Sequence, residues 1–343
     1  MSRFYEIEPT SENYWRAIIL FGRNSASYKF ALAKALLDLN RQNKDTVTLE
    51  NLATHYSLHL CEHLKRHPKQ NTSQGSVFLA KLRDFNEGKI SHDEMIQQTV
   101  RLGFNNVLDT FHNVHGTEVG FCFFVNERQP NNRICLTDEF FQMAEQTQFE
   151  NLEQETESRW RLVESAWENR LARNLMLVEY EQETKSLVGV NPLRRTTITS
   201  ARPALNGYQK CRCFYCFREV SIIQGSQAMA DVDHFFTHML KQCDNNKPID
   251  GVANLVLACR ECNRGENGKF EKIPTPDLLE RLFNRNEYLI TSHHPLRETL
   301  IAQTGLTTAN RQHFLQDAYN CSIFFVGARS KKWQPVPQGD AIF

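Results

Sequence analysis

Along the first hundred residues, apolar positions recur at spacings of three and four. In "SASYKFALAKALLDL" the residues Tyr28, Ala31, Leu32, Ala35 and Leu36 share one helix face, behind serines able to cap it. "TLENLATHYSLHLCEHLKRH" continues in the same style, and Ser91 to Glu94, "SHDE", form a capping box for a helix to about Leu102. The period changes at residue 117. "TEVGFCFFVNERQPNNRICL" holds two β-rich runs around a polar Pro/Asn loop and predicts a hairpin. Helix resumes at Thr137 and runs through "ENLEQETESRWRLVESAWENRLARN", after which "LMLVEYEQETKSLVGV" predicts a second strand pair. From Asn191 the chain turns basic and cysteine-bearing, and its end, "KKWQPVPQGDAIF", reads as a loose tail.

This succession predicts an α+β protein in four parts. A helical N-terminal domain covers 1–116, a mixed hairpin and helix connecting region 117–190, a cysteine-bearing module 191–275 and a helical C-terminal extension 276–343. A chain of 343 residues is long enough for two or three units, each burying its own core.

Composition narrows the class. Hydrophobic residues make up 41% and charged residues 23%, as in a soluble globular protein, and no apolar run approaches the length of about 18 residues that a membrane span needs. The start, "MSRFYEIEPTSENYW", has no cationic segment followed by an apolar block, so the expected location is cytoplasmic. In that reducing compartment ten cysteines point to metal rather than to disulfides. Net charge is zero, but its distribution is uneven. Twelve acidic residues face four arginines between Cys135 and Glu183, whereas Arg194, Arg195, Arg202, Lys210, Arg212 and Arg218 form a stretch with no acidic residue. Such a stripe suits a phosphate backbone, or is a solvated surface.

The strongest chemical signal is Cys213-x-x-Cys216 followed by Cys259-x-x-Cys262. Two such knuckles supply four thiolates for one tetrahedral structural Zn²⁺, with Cys211 as a possible substitute ligand. Between them "ADVDHFFTHML" offers Asp231, Asp233, His234 and His238, "NLVLAC" offers Asn254, and Asn263 follows the last cysteine. An imidazole titrates near neutrality and can take a proton from water, while carboxylate and amide oxygens are the hard donors Mg²⁺ or Mn²⁺ prefers.

The segments "CFYC", "DVDHF", "NLVLAC" and "CRECNRGENGK", in this order over about residues 205–272, resemble the HNH (ββα-metal) endonuclease family. The resemblance implies a zinc-stapled strand, strand and helix module. It implies His234 as general base, Asp233 and Asn263 as ligands of the catalytic Mg²⁺ (or Mn²⁺), and Asn254 as the residue that orients the histidine loop. The implied function is hydrolysis of double-stranded DNA, with a bacterial restriction or anti-phage defence system, and separate protein partners, as the setting. Two other readings stay open: a non-catalytic zinc subunit that binds nucleic acid, and an RNA-cleaving HNH toxin.

Other residues carry weaker signals. His238 reads as a bystander, Asp231 as a supporting or solvent-facing acid, and Arg264 and Lys269 as phosphate contacts or ordinary exposed helix charges. His55, His59, His63 and His67 form an i, i+4 ladder without a carboxylate or cysteine to complete a metal site, which predicts a partly buried histidine edge. His293 and His294 read as loop residues, and "GENGKF" lacks the glycine spacing and the hydroxyl of a phosphate loop.

Overall fold

A computed structural model describes residues 9–21, 26–42, 44–71, 75–114, 116–146, 149–168, 177–183, 185–191, 194–237, 250–291, 296–326 and 332–343. The chain forms two compact units, Met1–Glu168 and Asn169–Phe343, so the stretch 117–190 is shared between them. Among the described residues helix outweighs strand, and the sheets have two or three strands each. The fold class is α+β. No helix among the described residues is long and apolar enough to cross a membrane.

The first unit begins with helices α1 (Ser11–Phe21) and α2 (Tyr28–Leu39), strand β1 (Thr46–Thr48), and helices α3 (Leu49–Arg66), α4 (Val77–Asn86) and α5 (His92–Gln98). Their starts follow from side-chain caps that satisfy otherwise unpaired backbone N–H groups. Thr48 accepts from Asn51, Ser76 from Leu79 and Ser91 from Glu94, each at 3.2 Å. After α5 come a π-helical turn (Thr99–Gly103), α6 (Val107–Thr110) and the two-residue strands β2 (Asn113–Val114) and β3 (Thr117–Glu118). The predicted hairpin is β4 (Phe124–Glu127) and β5 (Arg133–Leu136), paired antiparallel with Phe124 opposite Leu136. β1 adds to its free edge, with Thr46 opposite Cys135. Helices α7 (Asp138–Ala144) and α8 (Phe149–Glu168) close the unit. Trp15 is fully buried, with Phe111, Phe123 and Phe140 around its ring.

The second unit opens with an antiparallel sheet of β6 (Leu177–Glu181), β7 (Ser186–Asn191) and β8 (Arg194–Ser200), in that spatial order. The strand pair expected from the sequence is β6 with β7. β8 extends it, using part of the stretch that reads as a basic stripe. Then follow α9 (Ala201–Gln209), β9 (Asp231–His234), β10 (Leu255–Ala258), the short helix α10 (Arg260–Arg264), and α11 (Pro276–Thr291), α12 (Arg297–Thr304) and α13 (Thr308–Val326).

The last residues are not loose. Trp333 is buried, donates its indole N–H to Asn267 O at 2.8 Å and packs edge-on against Tyr215. The Gln338 N–H donates to Cys216 O at 2.7 Å, and the ring of Phe343 lies against Tyr208, Phe214 and Phe217. The polar, proline-bearing tail carries two apolar anchor points nine residues apart, Trp333 and the adjacent Ile342 and Phe343. Spacing without a helix or strand period gives pattern reading nothing to find.

Candidate metal centre and active site

β9 and β10 form a short antiparallel hairpin in which Leu255 faces His234, Val256 Asp233, Leu257 Val232 and Ala258 Asp231. All four β10 residues are buried. Glutamine Gln209 of α9 grips this strand on both sides of one residue, accepting from Leu257 N and donating to Leu257 O, each at 2.8 Å. Just before the strand, Arg285 and Asn286 of α11 donate to the carbonyls of Val252 and Ala253. β10 therefore enters α10 along a fixed line.

Cys259 sits at that junction. It caps α10, its sulfur accepting from Cys262 N at 3.4 Å, so both cysteines of the second knuckle point to one side. The first knuckle is a tight turn in which Cys213 N donates to Arg218 O and Phe217 N to Cys213 O, with Phe217 in the left-handed region at φ 63°. Phe214 N donates to Leu257 O at 2.9 Å, which lays that turn along β10. The sulfurs of Cys213, Cys216, Cys259 and Cys262 all lie within 4.8 Å of one another, and all four residues are buried. Cys216 and Cys259 are 3.7 Å apart. A tetrahedron with metal–sulfur arms of about 2.3 Å has edges of about 3.8 Å, so the donor set fits a structural ion such as zinc. Hydrogen bonds from Cys213, Cys259 and Cys262 hold Cys216 well below the ordinary thiol range, and burial pushes Cys213 up. Cys211 is not part of the cluster, because its sulfur accepts from Asn206 Nδ2 at 3.0 Å.

Asp231 and Asp233, two apart in β9, lie on one side of the strand, and His234 on the other. Asp233 is buried, with its Oδ2 accepting from Tyr215 Oη at 2.5 Å and lying 3.4 Å from Lys269 Nζ. Burial raises its carboxyl pKa, and the Lys269 ammonium opposes that rise. Lys269 is not an exposed phosphate contact. It is fully buried beyond the end of α10, and donates to His234 O at 2.9 Å and Phe270 O at 3.1 Å. A buried ammonium needs such partners, and here they include the main chain of one candidate residue and the side chain of another.

The Asn263 side chain bonds not to Asp233 but to Asp231, donating from Nδ2 to Oδ2 at 3.1 Å. Arg264, largely exposed, forms an ion pair with the same carboxylate at 2.9 Å. Asn263 is thus turned toward the acidic side of β9. His234 is buried, and its Nε2 lies 3.2 Å from Asp250 Oδ1. Asn254 clasps the residue that follows the strand, accepting from Phe236 N at 2.7 Å and donating to Phe236 O at 2.9 Å, while its own carbonyl accepts from Phe235 N. Asn254 thus holds the backbone just beyond His234 with its side chain at Phe236 and its main chain at Phe235.

Sequence reading missed Tyr215, Asp250 and the bond between Asp231 and Asn263. Tyr215 stands inside "CFYC" in plain view, but only the packing of that knuckle under β9 gives it a role. Asp250 carries no motif at all. Among the described residues of the basic stretch, three cations point to separate partners. Arg202 donates to Ala230 O, Lys210 is buried and reaches Ile342 O, and Arg218 pairs with Glu261. The side chains of Arg194 and Arg195 lie outside the described residues, as do His238, His293 and His294.

The histidine ladder of α3 is an edge tied to carboxylates. His59 Nε2 is 2.7 Å from Asp38 Oδ2, and His55 Nδ1 is 3.4 Å from the same atom. His63 lies between Glu164, 2.7 Å from Nδ1, and Glu157, 3.2 Å from Nε2, with its ring 3.5 Å above that of Trp160. Those acids come from α8, a hundred residues along, which local spacing could not reveal. A second group, His112, Glu118 and Cys122, has its ligand atoms within 4.8 Å. There His112 Nε2 already accepts the Phe123 N–H at 3.0 Å, so that nitrogen is engaged.

No family model, curated protein or solved structure matches the chain.

Proposed function

We propose that the second unit is a metal-dependent HNH-type endonuclease that hydrolyses DNA phosphodiester bonds with His234 as general base. The observation that carries this reading is the Asn263 to Asp231 hydrogen bond. It brings an amide from the helix against the strand face that also bears Asp233, beside a cluster of four thiols fit for zinc. Hard oxygen donors from strand and helix then share one side of β9, and an imidazole stands at its end.

In this reading Asp250, close to Nε2, favours the tautomer with its proton there and leaves the lone pair on Nδ1. Nδ1 takes a proton from water, the water oxygen forms a bond to phosphorus, and the bond to the 3′-oxygen breaks; the leaving oxygen takes a proton from solvent water, which gives a 5′-phosphate and a 3′-hydroxyl. A divalent ion held by Asp233 and Asn263, Mg²⁺ or Mn²⁺, would offset the negative charge gathered on the phosphate and leaving oxygens. Asn254 holds the main chain at Phe236, and Lys269 holds the carbonyl of His234, so the imidazole starts from a fixed backbone. A zinc ion held by Cys213, Cys216, Cys259 and Cys262 would tie the first knuckle to the junction of β10 and α10. Service in an anti-phage or restriction system, with energy-using partners on other chains, belongs to the same proposal.

The test is product analysis. Wild-type protein incubated with supercoiled DNA and with RNA, each with Mg²⁺ or Mn²⁺, is expected to cut the DNA and leave ends that a ligase reseals. Cleavage of RNA alone would move the assignment to an RNA-cleaving toxin. Retained DNA binding with neither substrate cut would favour a zinc-containing binding subunit.

A further inference from the structure

Phe270 follows the buried Lys269 and is 51% exposed. Its backbone is in the left-handed region, φ 45°, where a side chain with a β-carbon is unfavourable. The one other aromatic residue at positive φ among the described residues, Phe217, is 5% exposed, under Arg281 at 4.2 Å and beside Phe343. Phe270 has the same strained backbone and keeps its ring in solvent.

That backbone is held from both sides by the candidate site. The N–H of Phe270 donates to Asn263 O at 3.1 Å, and its carbonyl accepts from Lys269 Nζ at 3.1 Å. The same ammonium holds His234 O and faces Asp233. The preceding turn leaves no slack, since a β-carbon at Gly268 would come within 2.9 Å of the Gly265 backbone. An exposed aromatic ring is thus tied through one or two hydrogen bonds to Asp233, His234 and Asn263. The cations Arg260, Arg264 and Lys272 stand exposed on the same turn and helix.

We propose that Phe270 is a nucleobase contact, stacking on a base beside the scissile phosphate, which it helps to unstack from its neighbour. This rests on the nuclease reading above. Every base has a π-face, so such a contact adds affinity without demanding a sequence, and an aromatic or apolar wedge at a base step is a recurrent device for opening the duplex locally. Rigid attachment to the proposed metal ligand fixes the distance between the stacked base and the bond to be cut.

The test compares wild type, Phe270→Ala, Phe270→Leu and Phe270→Trp on plasmid DNA and on methyl p-nitrophenyl phosphate, a diester without a base. The ratio of the two kcat/KM values is expected to fall about tenfold for Ala and Leu and to recover for Trp, since base stacking on an aromatic ring is of that order. An unchanged ratio for Ala and Leu would overturn the proposal, as would equal losses on both substrates. Binding of a 2-aminopurine-labelled duplex by the His234→Ala protein, with and without Phe270→Ala, gives an arm independent of chemistry. A roughly tenfold weaker binding with altered probe fluorescence supports the stacking role, and identical curves overturn it. Wild type that cuts neither substrate defeats the nuclease reading, while the binding arm still decides Phe270.

Discussion

His63 and His234 differ in the partners that surround a buried imidazole. Both are buried, but His63 has a carboxylate on each nitrogen and the face of Trp160 beneath it. Burial alone would push its pKa down. The hydrogen bonds and charges of Glu157 and Glu164 outweigh burial and hold it above the ordinary histidine value. Lys34, Arg161, His67 and Gln70 complete the polar shell around those two acids. A group whose folded pKa is raised contributes stability that is fully present below its unfolded value of about 6.5 and is lost as pH rises through the folded value. Thermal melts across that window are therefore expected to show wild type losing stability with rising pH more steeply than His63→Gln. Parallel curves would contradict the arrangement. His63→Ala, which strips a buried pair of its cation, should cost about 3 kcal/mol. The residue pattern foretold the buried histidine edge, because four imidazoles drift into an apolar face. It could not foretell the two glutamates, which arrive from another helix.

At the scale of elements, the antiparallel pair of β9 and β10 followed by α10 matches the strand, strand and helix order that the resemblance of the cysteine-bearing segments implies. Less legible was the support around it. Gln209 holds β10 itself, Arg285 and Asn286 hold the turn before it and Trp333 the loop after α10; each acts through backbone groups, which leave no residue pattern. Two predictions belong here. Atomic absorption should find one zinc per chain, and Cys259→Ser should lose it together with the far-ultraviolet and near-ultraviolet signals of the folded unit. Zinc in full amount after that change would remove the cluster from the account. Asn254→Ala leaves the Phe236 N–H and carbonyl unpaired in a buried setting, a loss of about 1 to 3 kcal/mol. It is expected to keep its zinc and to nick DNA more slowly than wild type. An unaltered nicking rate would show that the clasp does not position His234.

For the molecule as a whole, α11 to α13 and the tail complete the second unit. The chain returns from α13 to lay Trp333 beside Tyr215 and Phe343 over the first knuckle. Removing a buried tryptophan ring commonly costs about 3 to 5 kcal/mol, so Trp333→Ala should lower the melting temperature of the second unit and speed zinc loss to a chelator. A melting temperature and chelation rate equal to wild type would mean that the tail is dispensable. The measurement closest to the central claim is the rate of plasmid nicking in Mg²⁺ or Mn²⁺ by wild type and by His234→Ala, with zinc content and melting temperature matched. Loss of a positioned general base is expected to slow cleavage by about a hundredfold or more. Equal rates for the two proteins would contradict the account.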